Sequence, residues 1–165
     1  MKEIVYKNAW FSVLKDGRWH YLIEKNSDNG AVILMLEDNE NFIFVKNHRK
    51  AIGKTVIELP RGYGEDNESS ADTAIREAYE ETGYKIDKKK IVKLGTINPN
   101  SAILSSNIDI YFAHVAQNDK IKEADSEVLA VVKIRKDDIF HYIKDGKLQD
   151  SFTLSAISLY QAKNL

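Results

Sequence analysis

The chain has no cysteine. That removes disulfides, thiolate zinc sites and cysteine nucleophiles together. It has no surplus of either charge: 24 Lys plus Arg stand against 25 Asp plus Glu, for a net charge of -1. A broad nucleic-acid surface would carry a basic excess, so the balance argues against one and leaves room for a local basic pocket for a small anion. No apolar run is long enough to cross a bilayer, and "AVILML" at 31–36 is strand-sized. The N-terminal "MKEIVYKNAW" lacks the apolar core of a signal peptide, so a cytoplasmic location is the expectation. The four histidines, at 20, 48, 114 and 141, share no metal-ligand spacing. "GKT" at 53–55 is not a P-loop, because the glycine that must precede it would fall on His48.

What is present suits one domain, or one with a small appendage: 165 residues, 43% hydrophobic and 30% charged. The first third reads as strands. "AWFSVLK" (9–15) and "RWHYLIE" (18–24) flank Asp16-Gly17, a hairpin signal, and Trp19, Tyr21 and Ile23 alternate with polar residues. "AVILMLE" (31–37), "NFIFVKN" (41–47) and "KTVIEL" (54–59) follow, the last stopped by Pro60. A helix begins at Ser69, with Asp72 three residues on, and ends at Gly83. Ala71, Ile75, Ala78 and Thr82 form its small apolar stripe. Strands at 89–97, 107–115 and 128–134 come next, then helices at 136–145 and 151–164. Strands, helix, strands, helices predict a mixed α/β domain with helices layered on a sheet.

The densest chemistry lies in "ELPRGYGEDNESSADTAIREAYEETGY" (58–84). Glu77 and Glu81 stand one helical turn apart, with Glu80 at i+3 from Glu77. Like charges so spaced repel, and Arg76 cannot neutralise all three. A hard divalent cation with oxygen ligands would. A solvated acidic face is the plainer alternative. The spacing places the carboxylates opposite the Ala71/Ile75/Ala78 stripe, and Gly62 and Gly64 allow a tight turn beside them.

The run Gly62, five residues, Glu68, seven residues, Arg76-Glu77-Ala78, one residue, Glu80-Glu81, one residue, Gly83-Tyr84 resembles the Nudix box at every defined position. The strand "VIELPRG" and the closing "IKDGKLQDSFTLSAISLY" are similar to the flanks of the family's ADP-sugar pyrophosphatase branch. The resemblance implies an α/β/α sandwich with a mixed central sheet, preceded by an N-terminal antiparallel hairpin region. It divides the chain into residues 1–27, a strand region suited to dimerisation, and a hydrolase domain at 28–165. It implies a Mg²⁺-dependent (or Mn²⁺-dependent) enzyme. Water would attack the pyrophosphate of a nucleoside diphosphate linked to another group, with ADP-ribose or another ADP-sugar giving AMP and a sugar phosphate. Glu77 and Glu81 would be the main metal ligands. Glu80 would be a third ligand or a partner of metal-bound water, and the Arg61 carbonyl a further ligand. Arg76 and Glu68 would form a supporting ion pair. A general base would come from the loop "KEADSEVLA" (122–130), with Glu127 preferred and Glu123 second.

Pro99, fifteen residues past Tyr84, resembles a marker of ADP-ribose pyrophosphatases, although "NPNSAILSS" lacks the branch's proline-glycine pair. Trp10, Phe11, Trp19 and Tyr21 could stack an adenine or serve packing and dimer contacts, and the branch implies a homodimer. Two other readings stay open: a non-catalytic nucleotide-sugar sensor, and an RNA 5′-end pyrophosphohydrolase, which the lack of a basic surplus disfavours.

Overall fold

The computed structural model describes residues 2–126 and 128–165. Three strands, β1 (Lys2–Lys7), β2 (Phe11–Asp16) and β3 (Trp19–Glu24), form a small antiparallel sheet in that order. The N-terminal region is thus the expected hairpin plus one strand. Asp16 faces Trp19 across the turn, so the central residues are Gly17 and Arg18 rather than Asp16 and Gly17.

The larger sheet is built from β4 (Ala31–Glu37), β5 (Asn41–Arg49), β6 (Lys54–Glu58), β7 (Arg61–Gly62), β8 (Ile91–Ile97), β9 (Ile108–Val115) and β10 (Ala130–Arg135). Its main path runs β10-β5-β4-β9-β8, with β6 paired to β5 and β7 to β4. β4 and β9 are parallel and the other pairs antiparallel, so the sheet is mixed. The unbroken apolar run of β4 now has its reason: helices cover both faces. Side chains alternate across a strand. Ala31, Ile33 and Met35 therefore face α1 (Ser70–Thr82), while Val32, Leu34 and Leu36 face α3 (Ser151–Ala162) and the short α2 (Ile139–Lys144). On the α3 side, the Tyr160 ring meets Phe42 edge-on at 5.3 Å and Phe112 at 5.0 Å. Such pairs add about 0.5–1.5 kcal/mol each beyond simple burial.

Helix α1 carries its own start and stop. Ser69 caps it, its hydroxyl accepting from the Asp72 N–H at 3.2 Å. Gly83 ends it at φ 82°, and its N–H donates to Tyr79 O at 2.9 Å. A side chain at Gly83 would be strained by that φ and would overlap the Lys122 carbonyl. The buried stripe is rotated from the expected one. Thr73, Ala74, Ala78, Glu81 and Thr82 are buried, while Ala71 and Ile75 are only partly so. That rotation turns Glu81 into the protein, so the carboxylates do not all lie opposite the packed face.

Pro60 does break the strand, yet the chain re-enters the sheet at once. β6 ends at Glu58, and Arg61 and Gly62 then pair with Val32 and Ala31. This two-residue β7 was not foreseen, and it fixes the backbone against which the acidic helix closes.

Candidate active site

Gly62 has little room. A Cβ at this position would overlap the carboxylate of Glu77. Its φ is not positive, so the glycine is there for close approach rather than for a tight turn. One residue back, the Arg61 N–H donates to Glu81 Oε2 at 3.2 Å. The fold thus brings Glu77 and Glu81 onto the β7 backbone. Glu81 is 9% exposed. Burial, followed by the charge of Glu77, pushes its carboxyl up to about 8.

Arg76 organises the other acids. Its Nε donates to Glu68 Oε1 at 3.1 Å, and its Nη1 donates to Glu77 at 2.7 Å and to Glu80 at 2.8 Å. Its Nη2 donates to the Tyr63 carbonyl at 2.9 Å. Burial opposes its charge, but the Glu68 bond and the Glu77 charge prevail and hold the guanidinium above its ordinary range. Glu68 also accepts from the Glu65 N–H at 2.9 Å and from the Thr73 hydroxyl at 3.0 Å, which ties the 65–68 turn to the first turn of α1.

Among the described residues, no three of His, Asp and Glu stand ready as a cation site, since Arg76 spans Glu77 and Glu80. The donor chemistry nonetheless fits a hard divalent ion. The oxygens are carboxylates fixed by a packed helix, and Glu81 has the raised proton affinity of a buried acid short of positive charge.

The loop after β9 is fastened to the end of α1. The Ile121 N–H donates to Gly83 O at 3.0 Å, and the Asp125 N–H donates to Glu80 O at 2.8 Å. The Lys122 ammonium sits 4.5 Å from the centre of the Tyr79 ring and pairs with Asp125 at 2.5 Å. The Glu123 side chain is 91% exposed and pairs with Lys120 at 3.1 Å. Glu127 lies outside the described residues.

A second cluster was missed in the sequence. Glu58 is 1% exposed. It accepts from Arg49 Nε at 3.1 Å and from Arg49 Nη2, from Asn47 Nδ2 at 2.9 Å and from Arg61 Nη2 at 3.0 Å. Burial works against its charge, but the Arg49 bond and the Arg61 charge hold it below the usual carboxylate range. Arg61 also pairs with Asp150 at 3.3 Å and lies over the Phe152 ring at 4.1 Å. Arg49, Arg61, Gly62, Tyr63, Ile108 and Phe152 are among the residues lining a cavity of about 270 Å³, which shares the Arg61–Gly62 wall with Glu77 and Glu81. Burial and then Glu24 push the Tyr63 hydroxyl above its ordinary range, so it remains a donor. The available signal was Glu58 itself: an acid inside the apolar strand "VIEL" must find cations when buried.

Comparison with known proteins agrees with this geometry. Residues 27–152 match the NUDIX domain. The methanol dehydrogenase activator of Bacillus methanolicus is 30% identical over 138 residues, covering 80% of this chain and 72% of that protein. The ADP-ribose pyrophosphatase of Bacillus subtilis (strain 168) is 28% identical over 137 residues, covering 81% and 73% respectively. The ADP-sugar pyrophosphatase of Mus musculus is 31% identical over 126 residues, covering 70% of this chain and 56% of that protein. No helix among the described residues is long and apolar enough to cross a membrane. With its box glutamates folded against Arg61 and Gly62 and the domain matched over most of its length, the chain belongs to the NUDIX family and is a hydrolase of the kind that resembles the ADP-ribose and ADP-sugar pyrophosphatases.

Proposed function

We propose that the protein hydrolyses the pyrophosphate bond of ADP-ribose or another ADP-sugar, releasing AMP and a sugar phosphate. The observation that carries this reading is one wall with two chemistries. Glu77 and Glu81 press on the Arg61–Gly62 backbone, and that backbone also lines a cavity carrying two guanidiniums and two aromatic rings. The names of the Bacillus subtilis and mouse relatives support the substrate class.

Glu77 and Glu81 would hold Mg²⁺, with Mn²⁺ able to replace it, while Glu80 and the Arg61 carbonyl complete the oxygen set. When bound, the cation neutralises the diphosphate and lowers the pKa of a ligated water. Arg49 and Arg61 face the pocket as the anion-complementary groups. Arg76 and Glu68 hold the turn that carries the site. Glu127 takes the proton of the attacking water, with Glu123 second. The support for Glu127 is its place two residues after Asp125, whose N–H is bonded to Glu80 O. The water oxygen bonds to one phosphorus, and the bridging oxygen leaves with the other phosphate.

Residues 1–27 serve as a dimerisation region for the hydrolase domain at 28–165. The small sheet exposes Ile4, Val5, Tyr6 and Ile23, with Trp10 at 78% and Trp19 at 64% exposure. An apolar patch of this kind marks an interaction surface. Sedimentation of the purified protein is expected to give a dimer, and Trp19→Lys to shift it toward monomer; a monomeric parent protein would remove this part of the proposal.

The decisive assay is a nucleotide panel with Mg²⁺, read for released monophosphate. ADP-ribose or ADP-sugars should give AMP. Tight binding of one nucleotide with no release would support a sensor, and preferential cleavage of RNA 5′ ends would replace the substrate class.

A further inference from the structure

The first turn of α3 meets the chain on both sides of Pro60. The Leu59 N–H donates to the Thr153 hydroxyl at 3.1 Å, a contact made across 94 residues. That hydroxyl donates in turn to Asp150 Oδ2 at 2.9 Å, the oxygen that also caps α3 by accepting from the Thr153 N–H at 2.9 Å. Asp150 Oδ1 is left for Arg61 Nη2, at 3.3 Å. One carboxylate therefore divides its oxygens, one to the helix and one to the arginine. Thr153 and Leu59 are both fully buried.

Arg61 has few other holds. Both of its side-chain hydrogen bonds leave from Nη2, one to Glu58 Oε2 at 3.0 Å and one to Asp150. Its Nε is buried and, among the described residues, has no acceptor. Glu58 is itself fixed by Arg49 and Asn47. Phe152, two residues after Asp150, supplies the ring against the guanidinium at 4.1 Å. The guanidinium is thus set between one strand acid and the start of α3, and two of these three contacts come from α3. Arg61 and Phe152 line the same cavity.

We infer that Asp150 is a positioning residue of the substrate pocket: it holds the Arg61 guanidinium in the cavity wall, with Thr153 as the brace that ties the same helical turn to Leu59. The effect on binding rests on the function proposed above; the brace does not. Three roles for Asp150 differ in sign. An acid beside Arg61 opposes an anionic ligand, so if its charge were all that mattered, removing it would lower KM. A residue that only stabilised the fold would lower the melting temperature and leave KM unchanged. A residue that places Arg61 raises KM when removed, because a misplaced donor weakens substrate and transition state alike while kcat holds.

Asp150→Ser separates the three, since serine keeps the cap but is too short to reach Arg61. KM for ADP-ribose at saturating Mg²⁺ is expected to rise about fivefold, with kcat within about twofold. Thr153→Val should raise KM about threefold and quicken exchange of the Leu59 amide about tenfold, with β9 amides unchanged as the control for folding. Thr153→Ser, which keeps the hydroxyl, should restore both. A KM that falls or stays constant in Asp150→Ser would overturn the assignment, as would an unchanged Leu59 amide in Thr153→Val. If the parent protein binds ADP-ribose without cleaving it, the functional reading fails and Kd replaces KM in the same comparison. A parent protein that does not bind ADP-ribose at all overturns the pocket role as well.

Discussion

Glu58 and Glu81 are both buried glutamates, and both bond to Arg61, yet the protein treats them in opposite ways. Glu58 has two guanidiniums and an amide, and is held in its charged form. Among the described residues, Glu81 accepts from one backbone N–H, and burial with the charges of Glu77 and Glu58 outweighs the charge of Arg49. The first is an acid whose pairing is complete within the chain. The second is an acid whose burial and acidic neighbours outweigh the positive charge around it. Burial alone therefore does not separate a structural carboxylate from a functional one; the count and sign of its neighbours do.

The largest expected break in this comparison is in turnover. Glu81→Gln should lower kcat by about three powers of ten, or about 4 kcal/mol in barrier, while the protein stays folded. Near-normal AMP release from that variant would place the chemistry elsewhere. Glu58→Gln should do the reverse. It leaves two guanidiniums facing a neutral amide and should cost about 2–3 kcal/mol in urea unfolding, toward the low side for a broken buried pair because Arg49 stays partly in water. Equal loss of stability in the two variants would erase the distinction.

Acidity sharpens it further. The folded Glu81 carboxyl lies near 8, above its ordinary 4.5. Its contribution to stability is therefore full below about 4.5 and is lost as pH rises to about 8. Glu58 has the opposite sign: its contribution is present above the ordinary carboxylate value and disappears as pH falls through its depressed one. With a chelator present, denaturant midpoints should fall between pH 5 and 8 for the parent protein and flatten in Glu81→Gln. Added Mg²⁺ should recover most at the alkaline end of that window. A midpoint that rises across this range would contradict the assignment. The smallest effect calibrates the rest. Ser69→Ala removes the α1 cap and the hydroxyl's bond to the Asp72 carboxylate, and should cost about 1 kcal/mol, equally with and without Mg²⁺.

Much of this architecture was written locally. Ser69, Asp72 and Gly83 bound α1 because caps act over three or four residues. The apolar run at 31–37 announced a strand, and the box spacing set Glu77 and Glu81 one turn apart. β7 was invisible, because two residues carry no periodicity and pair only where β4 offers an edge. The loop sequence offered Glu123 as a base, and only the tertiary structure shows it exposed and paired with Lys120.

The sequence by itself therefore determined where elements begin and end and which acids share a helix, since these depend on neighbours within a turn or two. The tertiary structure decided what those acids meet. Gly62 gives up its side chain to Glu77, Arg61 divides itself between Glu58 and Asp150 across 89 residues, and Glu24 of the small sheet accepts from the Ser106 hydroxyl far along the chain. Charge and burial are properties of the space around a group, and that space is filled by residues the chain brings in from far along its length.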